Sequence, residues 1–215
     1  MVVTKVLEKM RGKKVENVLC RLCKKNEEGV KHWLNNCEYL AGREYLKRHD
    51  QSLRVLYAEV LKKFKMEEES VAWFNIKVEP VRESDKALVV WNMRIPTHTK
   101  VAHRWPDLRV ESKLEKAIWI LDMACPSDDN VKNKEAEKRA NYQDLLYELR
   151  TQRPGWRIEV LPLVVVVTGA LNKLEVEVMK LLDEEKKAKR CVKEMQKTTI
   201  LGSVQIIHRI EAGLV

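Results

Sequence analysis

No stretch of this 215-residue sequence is apolar for long enough to span a bilayer. The longest such run, Val160 to Val167, is short and is interrupted by Pro162. The first ten residues carry Lys5, Glu8 and Lys9 where a secretory signal would have its apolar segment. Neither secretion nor a membrane partner is expected. Internal repeats and low-complexity segments are also missing, which sets aside solenoid and array architectures. Five cysteines without a secretory signal point to a reducing compartment, and to metal binding rather than disulfides.

What is present is ordinary in amount and uneven in place. A hydrophobic content of 45% with 34% charged residues suits a globular protein with a real core. Residues 1–65 hold 16 Lys and Arg against 8 Asp and Glu, an excess of 8 in a total net charge of +9. A basic end on a nearly neutral remainder suggests a polyanion partner, with nucleic acid ahead of membrane. A solvated basic face is the plainer alternative.

Residues 103–125, HRWPDLRVESKLEKAIWILDMAC, organise the rest. Apolar runs at Leu108–Val110 and Ala117–Met123 flank a polar centre, the pattern of a β-hairpin. A turn centred on Leu114 and Glu115 pairs Leu108 with Leu121, Val110 with Trp119 and Asp107 with Asp122. Alternation puts the apolar set on one face and both aspartates on the other. Opposed carboxylates repel unless a cation lies between them, and hard oxygen donors suit Mg²⁺ or Mn²⁺. The alternative is two unrelated aspartates at strand ends.

A second constellation is Cys20, Cys23, His32 and Cys37, spaced C-x2-C-x8-H-x4-C. A Cys-x-x-Cys turn presents two thiolates to one ion, and His32 and Cys37 can close a tetrahedron. Lys24, Lys25 and Lys31 favour the thiolate forms. We expect a structural zinc knuckle with no open position for chemistry. Its work is to fold a small module and present Arg21 and Lys31 to phosphates.

Elsewhere the periodicity is mostly helical. Leu53, Leu56, Tyr57, Val60, Leu61 and Phe64 form one stripe, with Arg43, Lys47, Arg48, Arg54, Lys62 and Lys63 largely off it. Those cations are either a solvated face or a phosphate-tracking surface. His49 and Tyr45 have no forced role. Residues 66–86 read as an acidic connection and Ala87–Trp91 as an apolar strand. Pro126-Ser127-Asp128-Asp129 is a helix start. The helix is expected to run to Glu148 or beyond, with Val131, Lys134, Lys138, Tyr142, Leu145 and Leu149 in one stripe. Its two lysines either snorkel, or one reaches over the sheet toward Asp107 and Asp122. Trp156–Thr168 reads as a buried central strand. Leu171–Arg190 and roughly Lys193–Ile210 read as helices, and Cys125 and Cys191 as structural. Strand, hairpin, helix, strand, helix is an α/β order with a mixed sheet.

Taken in order, these residues resemble the carboxy-terminal part of a site-specific non-LTR retrotransposon polyprotein. That part joins a zinc knuckle to a restriction-like endonuclease of the PD-(D/E)XK superfamily. The resemblance runs from Cys20 onward through CRLC…H…C, EYLKRH at Glu44–His49 and the Trp91 strand. It continues with WPD at Trp105–Asp107, ILDMACP at Ile120–Pro126 and EKRANYQDL at Glu137–Leu145, then TGAL and ILGSVQIIHR. It implies a mixed β-sheet core flanked by helices over residues 66–215. A basic helix, a CCHC module and a linker helix would precede it over residues 1–65. Asp107 and Asp122 would hold Mg²⁺. Lys138, four before Tyr142, would position water and stabilise charge on the phosphate, since Ala124 occupies the usual lysine position. Arg104, Tyr142, Arg21, Lys31 and Arg48 would contact substrate.

The sequence departs from the family at Trp105, where Arg usually precedes Pro-Asp, at Asn141, where Lys often precedes the Tyr, and at Asn92, commonly Asp. No paired-aspartate polymerase motif is present, which implies a fragment or a standalone remnant. The expected function is a nuclear, Mg²⁺-dependent DNA endonuclease that nicks target DNA for primed reverse transcription. DNA is the main partner and structured RNA a second candidate. The alternatives are an inactive nucleic-acid-binding remnant and a zinc-stabilised protein-interaction module. Steep salt dependence of DNA binding separates the last from the other two.

Overall fold

The structure, a computed structural model, describes residues 3–127, 131–170 and 173–215. At its centre is the hairpin of β3 (Leu108–Ser112) and β4 (Ala117–Ala124), with Leu108 opposite Leu121 and Val110 opposite Trp119. This is the register the apolar pattern demands, because a one-residue slip would turn every side chain to the wrong face. The turn over Lys113–Lys116 is closed by the Glu115 N–H donating to Ser112 Oγ at 3.1 Å, and Lys116 takes φ 48°.

Three further strands complete a mixed sheet in the order β1-β2-β3-β4-β5. β2 (Ala87–Trp91) runs antiparallel to β3, and the short β1 (Val81–Glu83) closes that edge. β1 lies inside the segment read as an irregular connection. β5 (Arg157–Val164) pairs parallel with β4 and forms the opposite edge, so it is not the central strand its composition suggested. The apolar run of its second half has another cause: helices cover both of its faces. Leu161 and Leu163 pack with Leu174, Val178 and Met195, while Ile158 and Val160 pack with Leu145 and Leu149.

The helices are α1 (Lys5–Met10), α2 (Glu38–Leu40), α3 (Leu46–Lys63), α4 (Val131–Asn141), α5 (Gln143–Gln152), α6 (Leu174–Leu182) and α7 (Glu185–Glu211). π-helical turns at His32–Asn36 and Ala41–Tyr45 lead into α2 and α3. The expected stripe of α3, Leu53 to Phe64, is wholly buried. It shares one core with Leu108, Val110, Trp119 and Leu121, so α3 packs on the sheet across the expected boundary at residue 65. The aspartate face of the hairpin is also covered, since Ile118 and Ile120 pack against Leu145 and Leu149.

Two expected helices divide differently. The 126–148 helix breaks at Tyr142 (φ −97°, ψ 6°) into α4 and α5; Asp128, Asp129 and Asn130, and the side chain of Val131, lie outside the described residues. Leu171 lies outside them as well. α6 stops where Asp183 turns left-handed at φ 55°, and α7 takes up the remainder from Glu185. No helix among the described residues is long and apolar enough to cross a membrane.

Candidate functional site

Asp107 directly precedes β3 and Asp122 lies on β4, so the hairpin register carries the two carboxylates to adjacent positions. The Met123 N–H donates to Asp107 Oδ2 at 2.6 Å, which fixes that carboxylate across the strands. Lys138 on α4 places Nζ 2.8 Å from Asp122 Oδ2. Lys134 instead pairs with Glu137 at 2.7 Å, so of the two lysines on the stripe Lys138 reaches the acids. Tyr142, buried at the break between α4 and α5, donates from its hydroxyl to Trp105 O at 3.4 Å.

His49 completes the arrangement. Its Nε2 lies 3.2 Å from Asp107 Oδ2 and its Nδ1 2.9 Å from Asp50 Oδ1. Burial alone would push this imidazole toward its neutral form. Hydrogen bonds and charge from Asp107 and Asp50 outweigh that and raise it to about 9. Burial also works to raise Asp107, but His49, Asp122 and the Met123 N–H together hold it below the usual carboxylate range. Asp122 is pushed the other way, to about 6, by burial and by Asp107, against the pull of Lys138. Neighbouring carboxyl groups whose proton affinities are pushed apart by their surroundings are a recurring feature of acid–base chemistry. The arrangement brings two carboxylates, a lysine and a histidine into direct contact at one end of the hairpin.

The Cys/His cluster forms as the spacing requires. The ligand atoms of Cys20, Cys23, His32 and Cys37 all lie within 4.8 Å of one another. Cys23 Sγ is 3.3 Å from His32 Nε2, and Cys20 Sγ is 4.0 Å from Cys37 Sγ. A tetrahedral zinc with Zn–S near 2.3 Å separates its sulfurs by about 3.8 Å, so these four residues form a possible zinc site. The left-handed turn at Lys24 (φ 58°) and the Leu22 N–H donating to Cys20 Sγ at 3.4 Å shape the Cys-x-x-Cys loop. Burial raises the Cys23 thiol, but backbone N–H groups of Lys25 and Asn26 and the His32 ring more than reverse this, leaving it at about 6.

This cluster is joined to the main fold. Cys20, Trp33, Leu34, Cys37 and Leu40 share a core with Val167 and with Ile206 and Ile210 of α7. The Tyr45 hydroxyl accepts from the Cys37 N–H at 3.0 Å and donates to Trp33 O at 2.8 Å.

The expected substrate contacts fare unevenly. Arg48 is a correction: it is buried, donating to Leu34 O at 2.9 Å and Ser203 Oγ at 3.2 Å, and its guanidinium has no route to a phosphate. Arg21 spends its fork inside the zinc loop, with Nε and Nη2 at 2.8 and 2.6 Å from the buried Glu28 carboxylate. Arg104 donates to Thr97 Oγ1 at 2.8 Å, and Lys31 is exposed beside His32. His49 and Tyr45 were the residues missed. The acid that His49 meets is 58 positions away, and the Tyr45 hydroxyl serves Cys37 and Trp33, upstream in the zinc module, while Arg48, three residues on, lies over its ring at 5.2 Å.

No protein-family model matches the sequence, and no curated protein matches it. What fold and site define is an α/β protein with a five-stranded mixed sheet flanked by helices. An amino-terminal Cys/His cluster able to hold a metal ion is packed against it.

Proposed function

We propose that this chain is a zinc-knuckle plus PD-(D/E)XK-type module that binds nucleic acid and nicks DNA with Mg²⁺. Its context would be the carboxy-terminal part of a site-specific non-LTR retrotransposon polyprotein acting in the nucleus, where the nick primes reverse transcription. The observation that carries the reading is the meeting of Asp107, Asp122 and Lys138 from the two arms of the hairpin and a helix, with 2.8 Å between the last two.

The donor set fits the metal. Two carboxylates are enough protein ligands for Mg²⁺, which keeps several waters and takes further oxygens from phosphate. Bound there, it would supply Lewis-acid polarisation and a more acidic water. The protein's own residues do the rest. Lys138 orients the attacking water and faces the charge that grows on the phosphate. His49 holds Asp107 in place. The basic first third of the chain supplies attraction for the polyanion, and zinc at the Cys/His cluster is structural.

The test is nicking of supercoiled plasmid in Mg²⁺ by the wild type, Asp122→Ala, Lys138→Ala and Lys134→Ala. The expected result is loss with Asp122→Ala, a fall of about 10²–10³-fold with Lys138→Ala, and little change with Lys134→Ala. A metal-loaded wild type that binds DNA in a salt-sensitive way but never cuts would replace this reading with the non-catalytic remnant.

A further inference from the structure

Trp105 stands two residues before Asp107, and more than half of its surface is open to solvent, at 54% exposure. A single exposed aromatic is unremarkable on a protein surface. This one is immobilised. Its indole N–H donates to Asn92 O at 2.9 Å, and the Arg94 guanidinium lies over its ring at 5.3 Å from the centroid. Its own carbonyl accepts from the Tyr142 hydroxyl. The buried Pro106 follows it, which restricts the Trp105 backbone to extended conformations.

The same residue that holds the indole also holds the acid. The Asn92 N–H donates to Asp107 O at 2.8 Å while its carbonyl receives Trp105. Asn92 manages this in a left-handed conformation, φ 45°, which asparagine tolerates better than most residues. One peptide group on each side of Asn92 therefore sets the distance between an open aromatic face and the carboxylate pair.

We propose that Trp105 is a base-stacking platform that holds an unstacked nucleotide of the substrate strand beside Asp107 and Asp122. Inside a duplex both faces of a base are already covered, so a fixed indole can take only a base that has left its stack. Arg94 backs one face of the ring with a cation, which leaves the other face for the base and adds attraction for the strand's phosphates. The substrate class this implies is DNA that is single-stranded or frayed at the position next to the cut. The inference rests on the nucleic-acid reading of the acid pair and refines it.

Binding is measured on the full, zinc-loaded chain without Mg²⁺, so that loss of nicking and loss of stacking are separate results. The probes are a short single-stranded oligonucleotide carrying 2-aminopurine and its fully paired duplex. The wild type should quench the 2-aminopurine of the single strand. Trp105→Ala should abolish the quench and weaken single-strand binding about tenfold or more, with duplex binding little changed. Trp105→Phe should restore most of both, and Arg94→Ala should weaken binding without removing the quench. Thermal unfolding of each variant checks that the fold is intact. If Trp105→Ala binds and quenches as the wild type does, the platform is overturned while the nuclease reading stands. If the wild type binds neither probe, both fall.

Discussion

His49 Nε2 and Asp107 Oδ2, 58 positions apart in the chain, lie 3.2 Å from each other. The contact joins α3 to the hairpin and gives each acid its own cationic partner: His49 for Asp107 and Lys138 for Asp122. The two partners come from different helices, α3 and α4, so each acid is held by its own element.

Removing the imidazole should loosen Asp107 without touching the other ligand. His49→Ala is expected to reduce Mg²⁺-dependent nicking about 10–100-fold, the usual effect of losing a residue that orients a metal ligand. The half-saturating Mg²⁺ concentration should rise with it. His49→Gln can still donate to Asp107 and should lose less. Equal activity in all three proteins would mean that Asp107 is held well enough by the Met123 N–H alone.

Zinc removal should be felt far beyond the knuckle. Cys37 and Leu34 share a core with Ile206 and Ile210, so chelation is expected to lower the thermal midpoint and to loosen the end of α7. Hydrogen exchange resolved along the chain would locate the loss. Protection lost only within residues 20–37 would show that the module folds apart from α7.

Arg48 should behave as an interior residue. Arg48→Ala leaves Leu34 O and Ser203 without their donor and opens space in the core, at a cost of about 2–4 kcal/mol in urea unfolding. The salt dependence of DNA binding should not change, because no phosphate contact is removed. A shallower salt slope would return Arg48 to the DNA-contacting set.

The fold also carries an acid-sensitive fastening away from the site. The Glu148 carboxylate accepts from the Thr99 hydroxyl at 2.7 Å, from the His98 N–H and from Gln152, and these bonds lower it to about 2. A carboxylate depressed in the folded state stabilises fully above its ordinary value of 4.5, and that contribution disappears as pH falls through about 2. Glu148→Gln should therefore melt lower than the wild type at neutral pH, with the difference closing as acid is added. A difference independent of pH would assign the effect to packing.

Much of this was readable in advance where the information is local. The hairpin register follows from Leu108, Val110, Trp119 and Leu121, since strand alternation leaves one pairing that buries them all. That pairing alone carries Asp107 toward Asp122. The Cys/His cluster follows from spacing, because a short loop can bring its ligands together in few ways. The α3 stripe was legible for the same reason, as a 3.6-residue period.

Other features depend on distance in the chain. Nothing near His49 marks it, since its partner is set by where α3 crosses the sheet. Lys134 and Lys138 share a helical stripe, and only the position of α4 against β5, which brings Lys138 within reach of Asp122, distinguishes them. Arg48 resembled its exposed basic neighbours until Leu34 and Ser203 closed over it. Composition could not tell an edge strand with both faces covered from a central one, so β5 was misplaced. Local periodicity records which face a residue turns to the core, and the sequence by itself determined that much. Which residue waits on that face depends on how separate elements pack, and the tertiary structure alone decided it.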